Sequence, residues 1–295
     1  MGATDRGPQR TEGVHERQNA VAELHSALII AARGCHGRIV SLIEDVDITP
    51  FSAEYLDAAA ALLAARHRAD RARESDLPAH FEAPGAARAL LERISQRPHS
   101  TGVVAVRRGR LVGYLIGGLV FTSPTSPGAG FIAARAGFIR YAGQAVDAED
   151  ATDVYGALYG ALATDWVGAG CLSHYVQVAP TDAPAEGRWH ALGFGRESVT
   201  AIRDTEALGP ADWPGEIRRA GQEDLDTIVG FINGLHRFLA AAPMWRPYLP
   251  ETEPEERAFQ KQMLEDPACA HWIASEDGQP LAMQSFQPPP GTYRE

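Results

Sequence analysis

The sequence repeats itself when it is shifted by 169 residues, and this repeat constrains the fold more than any other feature. Residues 47–67 then align with residues 216–236, and the register continues without a gap as far as Gly109 and Gly278. Self-similarity at a fixed spacing indicates copies of one structural unit. The chain therefore reads as two related domains. Identical pairs include Ile48 and Ile217, Glu54 and Glu223, Leu56 and Leu225, Asp57 and Asp226, and His67 and His236.

The repeat sets the expected domain boundaries. We expect an N-terminal extension over residues 1–43, a complete first domain over residues 44–206, and a second domain over residues 213–295. In the extension, Val14, Val21, Leu24 and Leu28 line one face of a helix, although the sequence does not decide whether this segment packs on the domain. The second domain matches only the front half of the first. We expect it to contribute packing rather than catalysis.

Composition limits the partners. The formal net charge of the 295 residues is −11, so we expect neither nucleic acid nor a membrane surface as a partner. The N-terminus has no apolar signal segment, and the three cysteines are odd in number and far apart. That pattern argues against a disulfide framework and is typical of a reducing compartment, so we expect a cytoplasmic protein.

Local patterns predict a mixed sheet in the first domain. A short strand at 46–51 precedes two helices, and residues 101–121 form a hairpin around Arg-Arg-Gly-Arg. A central strand over 137–146 and a helix over 152–170 follow. The last three predicted elements are a strand at 172–180, a helix at 183–192 and a final strand at 197–204. This order predicts an α/β fold with helices on both faces of the sheet.

A motif after the strand "YVQVAP" carries a family resemblance. Asp182, Ala185, Trp189, Gly193 and Phe194 match the spacing of the late Asn-x-x-Ala-x-x-x-Tyr-x-x-x-Gly-Phe motif of the GNAT superfamily, the acetyl-CoA-dependent N-acyltransferases. The element order resembles that family as well. The resemblance implies a GNAT-like fold with a partial second copy. Trp189 stands where the family has its tyrosine.

The resemblance also implies a cofactor site at the start of the helix after the central strand. In the family, backbone N–H groups and a helix N-terminus hold the pyrophosphate of acetyl-CoA. Anchored on Ala145 and Val146, the corresponding glycine-rich loop reaches Gly156. We expect Val154 to narrow this loop and nearby carboxylates to repel the cofactor, which predicts weak binding of acetyl-CoA. The residues implied in cofactor binding are Ala145, Val146, Ala151, Thr152, Asp153, Val154, Tyr155, Gly156, Asp182 and Trp189.

The sequence identifies the catalytic residue less directly than the cofactor residues. An indole N–H donates a hydrogen bond but does not release a proton at neutral pH, so Trp189 cannot replace a tyrosine as an acid. The neighbouring His190 is the candidate catalytic residue, because histidine is a common general acid and base in enzymes. A surface or capping role for His190 is the competing interpretation. His174 and Tyr159 rank below it.

Two functions remain open from the sequence. The first is an N-acetyltransferase that transfers an acetyl group from acetyl-CoA to the amine of a small molecule, with the cofactor site in the first domain. The second is a catalytically degenerate GNAT-like module that binds a ligand or serves as a scaffold. No residue pattern predicts a metal site, and homo-oligomer formation is left open.

Overall fold

Strands and helices alternate along the chain. The computed structural model describes residues 46–147, 151–199, 209, 213–241, 246 and 249–288, and every structural statement below concerns these residues. The extension predicted at 1–43 lies outside them. The α-helices are α1 (Leu56–Arg71), α2 (Pro84–Ser95), α3 (Ala151–Gly168), α4 (Ala183–Ala191), α5 (Leu225–Ala240) and α6 (Glu253–Glu265). The strands are β1 (Val46–Pro50), β2 (Ser100–Arg107), β3 (Arg110–Phe121), β4 (Arg135–Ile139), β5 (Gln144–Val146), β6 (Ser173–Val176), β7 (Glu216–Arg219), β8 (Ala270–Glu276) and β9 (Gln279–Phe286).

The first sheet is mixed, as the sequence predicts. Its strand order is β1-β2-β3-β4-β6, and β5 pairs with β3 next to β4. Neighbouring strands from β1 to β4 are antiparallel, whereas β4 and β6 are parallel. The predicted hairpin is present, and Arg108 and Gly109 at its turn both have positive φ angles, of 50° and 78°. Two consecutive residues with positive φ match a type I′ turn, which joins twisted antiparallel strands well.

The predicted central strand over 137–146 is broken in the structure. β4 ends at Ile139 and β5 begins at Gln144, with a 3₁₀ turn over Tyr141–Gly143 between them. An ideal Cβ at Gly143 would overlap the carbonyl oxygen of Ile116 on β3, so the turn lies tightly against the sheet. Only glycine allows this approach.

The final strand, predicted at 197–204, is absent over residues 197–199, the part of it that the structure describes. Residues 194–199 follow α4 without regular structure, and residues 200–204 lie outside the described chain. The described edge of the first sheet is therefore β6.

Helices cover both faces of the first sheet, which confirms the predicted architecture. α1 and α2 pack on one face, where Leu63, Leu91 and Tyr114 are fully buried. α3 and α4 pack on the other face, where Leu158 and Leu162 are fully buried. Each helix contributes an apolar stripe to one of two cores, and the sheet separates the two.

One tryptophan fixes the C-terminal end of α3 to the sheet. Trp166 is fully buried over two glycines, Gly117 on β3 and Gly137 on β4. Its indole N–H donates to the hydroxyl of Thr101 at 2.8 Å. The absence of a Cβ at both glycines creates the space that the ring fills.

The second sheet, in the order β7-β8-β9, carries elements at the spacing of the sequence repeat. α1 begins at Leu56 and α5 at Leu225, and the register of each hairpin shifts at equivalent points, after Ala105 and after Ala274. An ion pair links each helix pair at equivalent positions. The pairs are Asp57 with Arg88, and Asp226 with Arg257. The division into two related domains with the boundaries given above stays a prediction.

Candidate functional site

Two parallel strands diverge at the end where the cofactor residues were predicted. β4 and β6 pair from Ala136 opposite Ser173 to Ile139 opposite Val176, and the Gln177 N–H then donates to the Ile139 carbonyl at 2.9 Å. Beyond this point β5 pairs with β3 and not with the chain that follows β6. An opening therefore separates β5 from residues 178–180.

A buried glutamine spans the floor of this opening. The Nε2 of Gln144 donates to the Gln177 carbonyl at 2.6 Å, and its Oε1 accepts a hydrogen bond from the Trp189 indole at 2.9 Å. Gln144 is 2% exposed. Because both ends of its amide are bonded, the separation of the two strands is fixed at this level.

Trp189 is a core residue. It is 2% exposed, and its ring makes edge contacts with Tyr155, Tyr159 and Phe194 at centroid distances of 5.6, 5.5 and 4.9 Å. The indole N–H is the only hydrogen-bond donor of its side chain, and it is bonded to Gln144. The Trp189 side chain therefore packs in the core and links α4 to β5 through a hydrogen bond.

The start of α3 differs from the sequence interpretation. Val154 is fully buried and Tyr155 is 4% exposed, so both side chains belong to the core between helix and sheet. The expectation that Val154 narrows the loop is wrong, because its side chain packs against the sheet, with Cγ1 only 3.0 Å from the position of an ideal Cβ at Gly113 on β3. Gly156 leaves room for a Cβ on one face of α3, where an ideal Cβ would make an ordinary contact with the Leu192 side chain, at 3.8 Å. Ala151, Thr152 and Asp153 form the first turn of α3.

The other predicted cofactor residues have structural roles. Ala145 is fully buried and pairs with Tyr114, and Val146 pairs with Gly113. The Asp182 carboxylate accepts the backbone N–H of Ala185 at 3.1 Å and caps α4.

His190 lies on the outer side of α4. Its side chain is 48% exposed, Nδ1 is 2.8 Å from the Phe194 carbonyl, and Nε2 is 3.6 Å from the Glu186 carboxylate. The ring thus closes the end of α4, as the competing interpretation of this residue describes. A catalytic role for His190 stays a prediction.

Tyr159 and His174 form a hydrogen-bonded pair beside Trp189. The Tyr159 hydroxyl is 2.7 Å from Nδ1 of His174, and Nε2 of His174 is 3.0 Å from the Cys171 carbonyl. Since a carbonyl only accepts, Nε2 carries the proton and Nδ1 accepts from the tyrosine. Burial raises the pKa of the Tyr159 phenol. The pair is an oriented donor and acceptor of protons.

A second polar network lies on the opposite side of the sheet and was not found in the sequence. The Tyr141 hydroxyl donates to Asp70 at 2.7 Å and is 3.0 Å from Nδ1 of His67. Arg66 donates to the carbonyls of Tyr141 and Gln144, and its guanidinium lies 4.1 Å from the centre of the Tyr141 ring. Burial raises the pKa of Tyr141 to about 12. The network ties α1 to the turn between β4 and β5.

A groove of about 1580 Å³ runs along the described edge of the sheet. Leu172 and residues 174–181 form one side, and the connection between α1 and α2 contributes Glu74, Asp76 and Leu77. Tyr141, Tyr159 and His174 also line it, together with Leu235 and Leu239 of α5. Residues 178–180, Tyr141 and the pair of Tyr159 and His174 therefore line one cavity.

In the described ranges, no helix is long and apolar enough to cross a membrane, and no cluster of three or more histidine, cysteine or acidic side chains could hold a metal ion. Cys171 and Cys269 are free thiols and are buried.

Several solved structures are similar to this chain. An aminoglycoside N-acetyltransferase, AAC(6')-Iy in complex with CoA, is 18% identical, with 55% of this chain and 95% of that chain covered and a TM-score of 0.40. A ribosomal-protein-alanine N-acetyltransferase from Brucella melitensis biovar Abortus 2308 is 16% identical, with 54% and 98% covered and a TM-score of 0.39. AAC(6')-Ih from Acinetobacter baumannii is 15% identical, with 56% and 99% covered and a TM-score of 0.39. No protein-family model matches the sequence, and no curated protein matches it by sequence.

Residues 46–199 form the mixed sheet flanked by helices that the order of elements in the sequence predicts. The front of the sheet is antiparallel, and β4 and β6 form a parallel pair. This architecture is consistent with the GNAT-like fold that the resemblance implies.

Proposed function

We propose that residues 46–199 bind the pantetheine arm of acetyl-CoA in the opening between β5 and residues 178–180, and transfer the acetyl group to an amine. The divergence of the two strands carries this proposal. The Asp147 N–H bonds to Val112 on β3, and successive N–H groups of a strand alternate in direction. The N–H of Val146 therefore points away from β3, toward the opening. A backbone donor there can bind an amide carbonyl of the arm.

The start of α3 fits a phosphate group better than its sequence suggested. A helix N-terminus offers unpaired N–H groups and a partial positive charge. The Val154 side chain leaves this region free by entering the core, and Gly156 leaves space on the face toward Leu192. When bound, acetyl-CoA supplies the activated acyl group as a thioester. The helix and the opening would orient it.

The chain's own residues would handle the protons. An amine has to be neutral to attack a carbonyl, and the departing thiolate needs a proton. Tyr159 and His174 line the groove and share a hydrogen bond of 2.7 Å in which Nδ1 of His174 accepts, so the tyrosine hydroxyl can take up the proton of the amine as its own proton passes to Nδ1. The imidazolium can then return that proton through the hydroxyl to the departing thiolate. Glu74 and Asp76 at the groove attract a cationic amine from solvent.

One observation supports the alternative, a module that binds without turnover. The indole of Trp189 is buried and donates to Gln144, so the position that holds the family's tyrosine has no proton to offer. Binding of acetyl-CoA without release of CoA thiol in the presence of amines would favour this alternative. A cytoplasmic location and a homo-oligomer stay predictions.

Calorimetric titration with acetyl-CoA tests the site. We expect weak binding by the unaltered protein and a loss of at least tenfold in affinity, about 1.4 kcal/mol, for Gly156→Val, because branched methyl groups then fill the open face of α3. Gly160→Val is the matched control, since Gly160 lies one turn further along α3 with no atom near an added Cβ. Equal affinity of all three proteins would contradict the proposed site.

A further inference from the structure

The groove has a wall that a single GNAT-like domain does not contain. Leu235 and Leu239 of α5 line it, and so does Arg246, which follows α5. All three belong to the second part of the chain, whereas the strand edge belongs to the first. The cavity is complete only when both parts are present.

Four contacts hold this wall in place. The rings of His236 and Phe131 meet at a centroid distance of 5.6 Å, and the Thr125 hydroxyl donates to Glu255 of α6. Arg246 lies 5.8 Å from the Phe131 ring centre, and its guanidinium is 2.8 Å from the Glu197 carboxylate. The loop before β4 is thus packed against α5 and α6.

The side chains that line the groove are mainly apolar and carry a small excess of negative charge. Val120 and Phe138 of the first sheet, and Ile132 of the loop before β4, line the same cavity as Leu235 and Leu239. Two of its carboxylates are neutralised, because Glu186 pairs with Arg196 and Glu197 pairs with Arg246. Glu74 and Asp76, at the connection between α1 and α2, are the other two carboxylates of the lining, and Arg140, whose guanidinium lies 5.2 Å from the centre of the Phe138 ring, is its third arginine.

We propose that the acceptor is a primary amine carried on an apolar aryl or alkyl body, with the body packed against Leu235 and Leu239 and the ammonium group near Glu74 and Asp76. This inference rests on the proposed function of the first domain. A polyhydroxylated amine would place hydroxyl groups against leucine side chains, where they lose their hydrogen bonds to water. An apolar body instead removes both surfaces from water.

The transfer balances without a further reactant. The amine nitrogen forms a C–N bond to the acyl carbon while the C–S bond of the thioester breaks. The nitrogen loses one proton and the departing sulfur gains one. No electrons are exchanged with an oxidant or reductant.

Binding can be measured apart from turnover. We would titrate the full chain with 2-phenylethylamine, with ethanolamine and with an aminoglycoside, by calorimetry in the absence of acetyl-CoA. The expected order has 2-phenylethylamine at least tenfold tighter than ethanolamine, and the aminoglycoside weaker than 2-phenylethylamine.

A pair of variants on one helix sharpens the test. Leu239→Gln should weaken 2-phenylethylamine about tenfold, because it replaces an apolar contact by an amide of similar size. Phe238→Gln is the control, since Phe238 is 74% exposed and does not line the groove. Tighter binding of the aminoglycoside, or equal effects of the two variants, would overturn the inference. If the predicted binding order holds but no amide product forms with acetyl-CoA, the acceptor class stands and the proposed transferase activity fails.

Discussion

Replacing Gly137 by alanine tests the packing that joins α3 to the sheet. An ideal Cβ at this position would lie 2.5 Å from Cδ2 of Trp166, far inside the ordinary contact distance of 3.4–4 Å. The indole is rigid and fully buried, and its N–H is bonded to Thr101. The ring can make room only by moving off both glycines, and that movement breaks the hydrogen bond.

The expected loss of stability has two parts. Overfilling a packed core costs roughly 1–3 kcal/mol. Loss of the hydrogen bond from Trp166 to Thr101 costs about 1 kcal/mol more. We therefore expect Gly137→Ala to lower the free energy of unfolding by about 2–4 kcal/mol, which in a domain of this size corresponds to a decrease in Tm of roughly 4–16 °C.

Urea denaturation followed by circular dichroism measures this loss. Gly118→Ala is the control, because Gly118 lies on β3 opposite Phe138 of β4, but an added Cβ would meet only the His99 carbonyl oxygen, at 3.9 Å. In the double variant with Trp166→Phe the penalty of Gly137→Ala should shrink, since a smaller ring leaves space. A Gly137→Ala protein within 0.5 kcal/mol of the unaltered one would show that the reasoning about this contact is incorrect.

Two further predictions concern stability. Val154→Gly should destabilise the protein by roughly 3 kcal/mol, because it removes a fully buried side chain and adds a glycine to α3. Thermal unfolding measures this loss of stability. Tighter binding of acetyl-CoA without loss of stability would instead support the sequence-based expectation that Val154 narrows the loop. Asp224 is held by two hydrogen bonds from Arg218, of 2.7 and 2.6 Å, which keep the pKa of its carboxyl below the ordinary value. Its stabilising effect is therefore present above the ordinary carboxyl pKa and disappears as the pH falls through the lowered one, so Asp224→Asn should lower Tm at pH 7, and this difference in Tm should shrink as the pH falls below the ordinary carboxyl pKa. A difference in Tm that does not change as the pH is lowered would contradict this assignment.

The sequence predicts those elements whose signals are local. The hairpin follows from β-rich runs around Arg108 and Gly109, and α4 follows from apolar spacing that ends at a glycine. The break between β4 and β5 has no such signal. It depends on Tyr141 meeting Arg66, whose positions are 75 residues apart in the chain.

Prediction of the site from the sequence is limited in the same way, to features with a local signal. Spacing placed Val154 on the loop, but the structure begins α3 at Ala151 and turns the fourth residue of the helix toward the sheet. The pairing of Tyr159 with His174 joins a helix to a strand 15 residues later, and neither residue is distinctive alone. Trp189 was found by its motif, yet its hydrogen bond to Gln144 depends on the folded strands.

The bonded amide of Gln144 has a thermodynamic consequence. Because it links the Gln177 carbonyl to the Trp189 indole, the conformational entropy of the two strands at this level is lost when the chain folds. A ligand that enters between β5 and residues 178–180 meets walls that are already ordered. Its affinity is then reduced by its own loss of freedom and not by that of the protein, which is the advantage of a preorganised site.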